Sequence, residues 1–393
     1  MHMIPRHAGR ALRVLALAAP LAWAPARAEP APALPAETLT TAGIDAAAGE
    51  RIYVADVAIS HIADGRIRVF DARRGRLLGM LSTGFVGNFS YHPQTRELYV
   101  ATTYLSRSSR GERNDVLEVH DADTLAFKYE VMLPPKRAQA LNHRGLVTTS
   151  GDGRFVLVQN ATPATSISVV NLEQRSVVAE VPTPGCWGIL PSASHGSRFS
   201  MLCGDGRVAT VTLGENGQPV GREVSDKLFD ADADAWFHHA ERVGDRYWFL
   251  SFQGTLTELD LGGPVALVKG SRSLVGAAGR KSGWRPGGYQ PFAVDPTGAW
   301  LVVAMHDKGQ EGSHKRVARQ LWTVDLATGQ RGATSPGHKA VALTFSRDGQ
   351  RLHALDGEAG SLSVWQWGAR GKLKPITTVA RAGEASTQIE SHD

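Results

Sequence analysis

Three groups of carboxylates and imidazoles are the residues of this 393-residue chain whose types and spacing could do chemistry. The first is Asp230-Ala231-Asp232-Ala233-Asp234, with Glu241 in the twelfth place counted from Asp230. Oxygen ligands at that spacing are those of a calcium loop of the EF-hand type, but such a loop needs Gly in its sixth place for a sharp turn. Ala235 stands there, so a solvated acidic loop is expected. The second group is His238-His239, able in principle to bind a metal or exchange protons. Neighbours in a strand point to opposite faces, which keeps this pair from sharing one site. The third is His306 beside Asp307 and His314 beside Lys315, in a charged stretch where hydrogen bonds that hold a loop are the favoured role. No H-E-x-x-H, G-x-S-x-G, phosphate loop, G-x-G-x-x-G or C-x-x-C-H motif completes a centre, and no metal site is expected.

Cys186 and Cys203 are the two cysteines. Cys186 to Leu190 and Arg198 to Cys203 read as strands about a loop from Pro191 to Ser197, a hairpin with a cysteine at each outer end. Pairing in register brings the two Cβ atoms together, and the bridge would stabilise by about 3 kcal/mol. One bridge suits an exported protein with its own core. Residues 1–28 agree with export: Arg6, Arg10 and Arg13 precede an apolar run from Val14 to Trp23, and Ala26-Arg27-Ala28 forms a cleavage site. The run is well short of the roughly 20 residues that span a bilayer, so no membrane span is expected there or later.

The 43 Lys and Arg exceed the 38 Asp and Glu by five, but four of those arginines, and no acid, lie in the leader. Removing it leaves a nearly neutral chain at +1, with its bases scattered among acids. Nucleic-acid binding wants a clustered basic face, and that partner is set aside.

The elements that must position these residues are strands. At 42% hydrophobic and 21% charged the chain has material for a core and too little charge for disorder. Residues 29–50 begin as a Pro- and Ala-rich arm. From Arg51 onward one phrase recurs, a short alternating strand closed by a polar residue and a turn. It is found at Ile67 to Asp71, Leu117 to Asp121, Ile167 to Asn171, Val208 to Thr212, Leu256 to Asp260, Leu321 to Asp325 and Leu362 to Gln366. Successive ends lie 50, 50, 41, 48, 65 and 41 residues apart, room for four strands each. Such a period predicts an all-β fold, a seven-bladed β-propeller of four-stranded antiparallel blades, as a single domain over residues 51–393. The 65-residue interval implies an insertion near Trp284 to Tyr289. A β-sandwich pair is disfavoured because the phrase runs evenly, with no linker.

Several words around these repeats resemble a known family. They are Arg51-Ile52-Tyr53-Val54 with Asp56, Thr102-Thr103-Tyr104 followed by Arg110-Gly111, and Pro134-Pro135-Lys136-Arg137. Further on come the run from Gln159 to Ile167, Gly185-Cys186-Trp187, Cys203-Gly204-Asp205-Gly206, Pro286-Gly287-Gly288-Tyr289 and Glu311-Gly312-Ser313-His314-Lys315. In order and spacing they resemble the heavy chains of the quinoprotein amine dehydrogenases, those of aromatic (aralkylamine) amines more closely than those of methylamine.

The resemblance implies a seven-bladed subunit that pairs with a small Cys-rich light chain as a two-plus-two heterotetramer in the periplasm. It implies that the light chain carries tryptophan tryptophylquinone and the catalytic base, so no catalytic residue is expected in this chain. The family reaction is oxidative deamination of a primary amine to an aldehyde, with electrons passed singly to azurin or amicyanin, small copper proteins. This chain's part would be to shape the substrate channel.

The channel candidates implied are Phe85 and Asn88, in Thr83-Gly84-Phe85-Val86-Gly87-Asn88, together with Tyr104 and Ser60. Phe85 matches a family aromatic, and an aromatic wall suits an arylalkylamine. Ser60 stands near the place where the methylamine enzymes carry a channel-narrowing Phe, and the smaller side chain fits a larger substrate. A reading from another class is a stand-alone secreted propeller that binds carbohydrate or peptidoglycan, or hydrolyses lactones through a metal at its central channel.

Overall fold

The computed structural model describes residues 43–44, 50–139 and 142–392. The leader (1–28) and most of the arm (29–50) lie outside them. The described residues form seven antiparallel sheets arranged as the blades of a β-propeller. Six have four strands. In the sixth blade two short strands, Arg285–Pro286 and Phe292–Val294, line up along one neighbour, Trp300–His306. The long interval does hold extra structure here, the short helix Ala277–Lys281 and the strand Arg285–Pro286.

The recurring phrase occupies one structural position, the third strand from the centre. In chain order these strands are Gly65–Asp71, Arg113–Asp121, Ser166–Asn171, Val208–Leu213, Thr255–Asp260, Gln320–Asp325 and Leu362–Trp367. The closing acid or amide has a local cause: its side chain accepts from the backbone of the turn that follows. Asp71 Oδ1 accepts from Arg73 N and Arg74 N at 2.9 and 3.0 Å, and Asp121 Oδ1 from Asp123 N and Thr124 N at 3.0 and 2.8 Å. Asn171 and Asp325 do the same for Gln174 N and Thr328 N. Outermost strands are the exposed ones; Pro219–Val224 is exposed along its whole length.

Apolar faces pack blade against blade. Tyr53, Ile67 and Leu81 of the first blade bury against Phe89, Leu98 and Val100 of the second. The ring closes through Gln388–Ser391, which pairs with Arg51–Asp56 as the innermost strand of the first blade. Drawing one blade from both ends of the domain removes the free edge that an open array would leave. Beside the closure, the buried Glu50 meets Arg351 and the fully buried His353 of the seventh blade.

Connections between antiparallel strands alternate between two faces. One face, the front, carries the loops 57–64, 85–87, 106–112 and 134–146. The back carries 93–96, 150–154, 192–197 and 346–350.

Candidate functional site

The front rim between the first and second blades gathers three of the four channel candidates, Phe85, Tyr104 and Ser60. Phe85 sits in the connection from Arg76–Gly84 to Asn88–His92, where the chain kinks sharply: Gly84 and Val86 have φ of 52° and 49°. A Cβ on Gly87 would lie 2.3 Å from Thr83 O, so only glycine fits. Arg137 lies beneath the kink, 2% exposed. It donates from Nη2 to Phe85 O at 2.5 Å and from Nη1 to Val86 O and Ala138 O at 2.8 and 3.2 Å. Its Nε donates to Thr103 Oγ1 at 2.9 Å. Burial brings the guanidinium down to about 10, against the pull of Asp115, so it stays charged at neutral pH. Phe85 is half-buried, and its backbone is fixed by these bonds.

Tyr104 ends the strand Glu97–Leu105 and donates from its hydroxyl to Glu118 Oε1 at 2.7 Å. Burial and Glu118 raise its pKa, so the phenol keeps its proton. A Cβ on Gly84 would be 3.0 Å from Tyr104 Cε1, which places the ring against the kink. Ser60 lies on the exposed turn Ile59–His61 and donates to Glu384 Oε1 at 2.7 Å. Val86 N donates to Ile62 O at 3.2 Å and ties that turn to the Phe85 loop. Asn88 differs from the other three: it is fully buried on an innermost strand, below the rim, and its Nδ2 has no partner among the described residues.

Inside the ring the innermost strands enclose a cavity of about 540 Å³. Arg144 crosses it, bonding Glu241 Oε1 at 2.5 Å, Glu390 Oε1 at 2.6 Å and Thr344 Oγ1 at 3.0 Å, and so joins four blades. Burial pushes the Glu241 carboxyl up, but the Arg144 charge and the bond with His239 outweigh it and hold it below the usual range. The two adjacent histidines are divided as strand geometry predicts. His239 is buried, 2.9 Å from Phe292 O and 3.0 Å from Glu241, whereas His238 stacks on His143 with ring centroids 5.7 Å apart. Burial brings His143 down to about 4; its Nδ1 donates to Arg144 O at 2.8 Å, and Trp187 Nε1 approaches its Nε2 at 3.5 Å.

In the acidic run the carboxylates hold turns. Asp230 caps the turn Ala231–Asp234, and Asp234 accepts from Ser251 Oγ and Gln253 N at 2.6 and 2.8 Å, while Glu241 lies in the cavity. Among the described residues no group of three or more His, Cys, Asp or Glu is placed to hold a metal. His306 bonds Asp307 O at 3.1 Å, and His314 meets the Phe252 ring edge-on. Cys186 and Cys203 face each other in register and are bridged.

Sequence reasoning overlooked the arginines. Arg137 stood only within a family-like word, and Arg144, Arg242 and Arg347 drew no notice. The signal for Arg137 was its place in Pro134-Pro135-Lys136-Arg137; nothing local marks the others.

The model of the family "Methylamine dehydrogenase heavy chain (MADH)" matches residues 48–391. The methylamine dehydrogenase heavy chain of Methylobacillus flagellatus is 26% identical over 318 residues, 80% of this chain and 78% of its own length. That of Paracoccus versutus is 26% identical over 353 residues, 87% of this chain and 79% of its own. Among solved structures, a periplasmic gluconolactonase of Pseudomonas aeruginosa superposes with a TM-score of 0.59 at 15% identity, covering 87% of this chain and 98% of its own. A putative 6-phosphogluconolactonase of Bacteroides fragilis gives 0.63 at 10% identity, covering 88% and 99%. At such identities these two likenesses show the propeller fold alone.

Proposed function

The chain belongs to the methylamine dehydrogenase heavy-chain family, and from that premise we propose that it is the scaffold subunit of a periplasmic dehydrogenase of aralkyl amines. The family match over residues 48–391 supports the subunit part of this reading, and the aralkyl preference rests on Phe85 and Ser60. In it, a Cys-rich light chain docks on the front rim in a two-plus-two assembly, and an azurin- or amicyanin-like copper protein takes the electrons. The light chain's tryptophan tryptophylquinone supplies the oxidising chemistry, together with its base.

This chain's own residues then bind, orient and exclude water. Phe85 offers a ring face for an arylalkyl group, and the bonds from Arg137 fix its backbone before substrate arrives. Ser60 leaves room where a larger side chain would narrow the entrance. Tyr104, kept protonated, holds Glu118 at the rim.

Co-expression with a light chain of the family tests the proposal. The expected result is a copurifying small subunit whose visible chromophore bleaches with phenylethylamine, at a kcat/KM at least about tenfold above that for methylamine, as a gain of about 1.4 kcal/mol from ring contact implies. A reversed preference would remove the aralkyl assignment, and a chain that never retains a light chain would remove the subunit reading. The chain alone is expected to be inactive toward amines.

A further inference from the structure

At the back mouth of the central cavity the geometry points to a second, independent site: Arg242 and Arg347 form a clamp for a small oxyanion of carboxylate or phosphate type. Arg242 projects from the end of the innermost strand of the fifth blade, Trp236–Val243, and Arg347 from the back loop that follows Ala340–Phe345 of the seventh. Both line the same cavity of about 540 Å³, within the size range of small-molecule sites, and both are exposed.

The charges around them are already committed. Glu241 and Glu390, the two acids lining the cavity, are both engaged by Arg144. Arg242 instead donates to neutral atoms, Pro191 O at 3.0 Å and Tyr247 Oη at 3.4 Å. Arg347 donates from Nε to Ser391 O at 3.3 Å and lies over the Tyr91 ring, 5.2 Å from its centroid. Among the described residues neither guanidinium has a carboxylate within ion-pair distance. Asp245 favours the charge of Arg242 and Glu390 that of Arg347 from beyond ion-pair distance, so an anion between the two would meet charged donors that no carboxylate occupies.

His92 lines the same mouth, where burial and then the charges of Arg242 and Arg347 all disfavour its protonation. Thr95 N donates to His92 Nδ1 at 3.3 Å, so the neutral ring keeps its proton on Nε2 as a further donor. The contacts to Pro191, Tyr247, Tyr91 and Ser391 hold both arginines in place without using all their N–H groups. A planar fork fixed in this way matches the paired oxygens of carboxylate and phosphate, and little ordering is left to be done on binding. This mouth is on the face opposite Phe85, Ser60 and Tyr104, so an anion here leaves the front rim free.

Calorimetric titration of the full purified chain at low ionic strength, with citrate and with inorganic phosphate in turn, tests this. One saturable site per chain is expected for at least one of them. Arg242→Gln and Arg347→Gln should each weaken it about tenfold or more, the loss of a charge-assisted hydrogen bond, and the double variant should abolish it. Arg154→Gln, on the same face but already paired with Asp152, should leave it unchanged. Arg→Lys at both positions guards against misfolding, since it keeps the charge while losing the fork, and should bind with intermediate affinity. Tighter citrate than phosphate assigns an organic acid, and the reverse a phosphoryl group. The clamp is refuted if neither probe binds saturably, or if the double Gln variant, folded by circular dichroism, binds as the parent does.

Discussion

The front rim and the back mouth of this propeller both rest on arginine, and they use it in opposite ways. Arg137 spends its guanidinium on Phe85 O, Val86 O, Ala138 O and Thr103 Oγ1, and no part of it faces water. Arg347 makes one long bond to a carbonyl and stands exposed over a ring. The first is a structural bolt that fixes a loop; the second is a donor held ready. What separates the roles is whether the surrounding backbone has already used the N–H groups.

The strongest way to break this comparison is to remove the bolt. Arg137→Ala leaves three buried carbonyls and Thr103 Oγ1 without their donor, and a loss of about 3–5 kcal/mol is expected from urea unfolding. Arg137→Lys should recover little, because one ammonium cannot reach atoms that the fork serves together. A cost under about 1 kcal/mol, the level of an ordinary surface change, would mean that the kink at Gly84 and Gly87 holds itself.

The bridge sharpens the contrast between faces. Cys186 and Cys203 sit at the front ends of their strands and close a separation of 17 residues. The Cys186→Ser, Cys203→Ser double variant should lose about 3 kcal/mol. Its affinity for citrate or phosphate at the back mouth should be unchanged, and a parallel fall in both would show that the faces are coupled.

The parts legible in the sequence are those with local causes. The third strands could be read because most close with an Asp or Asn bonded to its own turn, as at Asp71 and Asp325. The division of His238 from His239 followed from strand alternation, and the pairing of Cys186 with Cys203 from a hairpin. Innermost strands such as Val147–Thr149 are too short to show periodicity. The arginine network was hidden because its partners are remote: Val86 and Phe85 lie 51 and 52 residues from Arg137, and Glu241 and Glu390 lie 97 and 246 from Arg144. Packing of neighbouring blades brings the Arg137 pairs together and closure of the ring those of Arg144, so a window along the chain cannot find them.

Acid provides a smaller effect that starts at the front end of the cavity. His143 is held at about 4 by burial, below the 6.5 of a free imidazole. The unfolded chain therefore binds the extra proton first as pH falls. Stability from this group is complete above pH 6.5, declines between about 6.5 and 4, and is level below, a total of about 1–2 kcal/mol after allowance for partial exposure. Glu241, whose carboxyl is held low, adds a loss in the same direction at lower pH. His143→Gln should flatten the upper part of the curve and leave the lower part; an unchanged curve would assign the whole decline to carboxylates.

The smallest effect is the most discriminating. Arg347→Ala removes a cation that burial and the neighbouring Arg144 and Arg242 disfavour, with Glu390 opposing them. Its contacts to Ser391 and Tyr91 are modest, so the two contributions nearly cancel, and stability should change by no more than about 0.5 kcal/mol. At low ionic strength the sign should be a slight gain, because like-charge repulsion is relieved. Salt at about 0.5 M shortens the screening length and should erase that gain. Arg137→Ala, whose loss comes from orphaned buried carbonyls, should show no such dependence. Urea midpoints of both variants at two salt concentrations make the test. If Arg347→Ala instead costs more than about 1 kcal/mol in either, its contacts are structural, and the two arginines would not differ in kind.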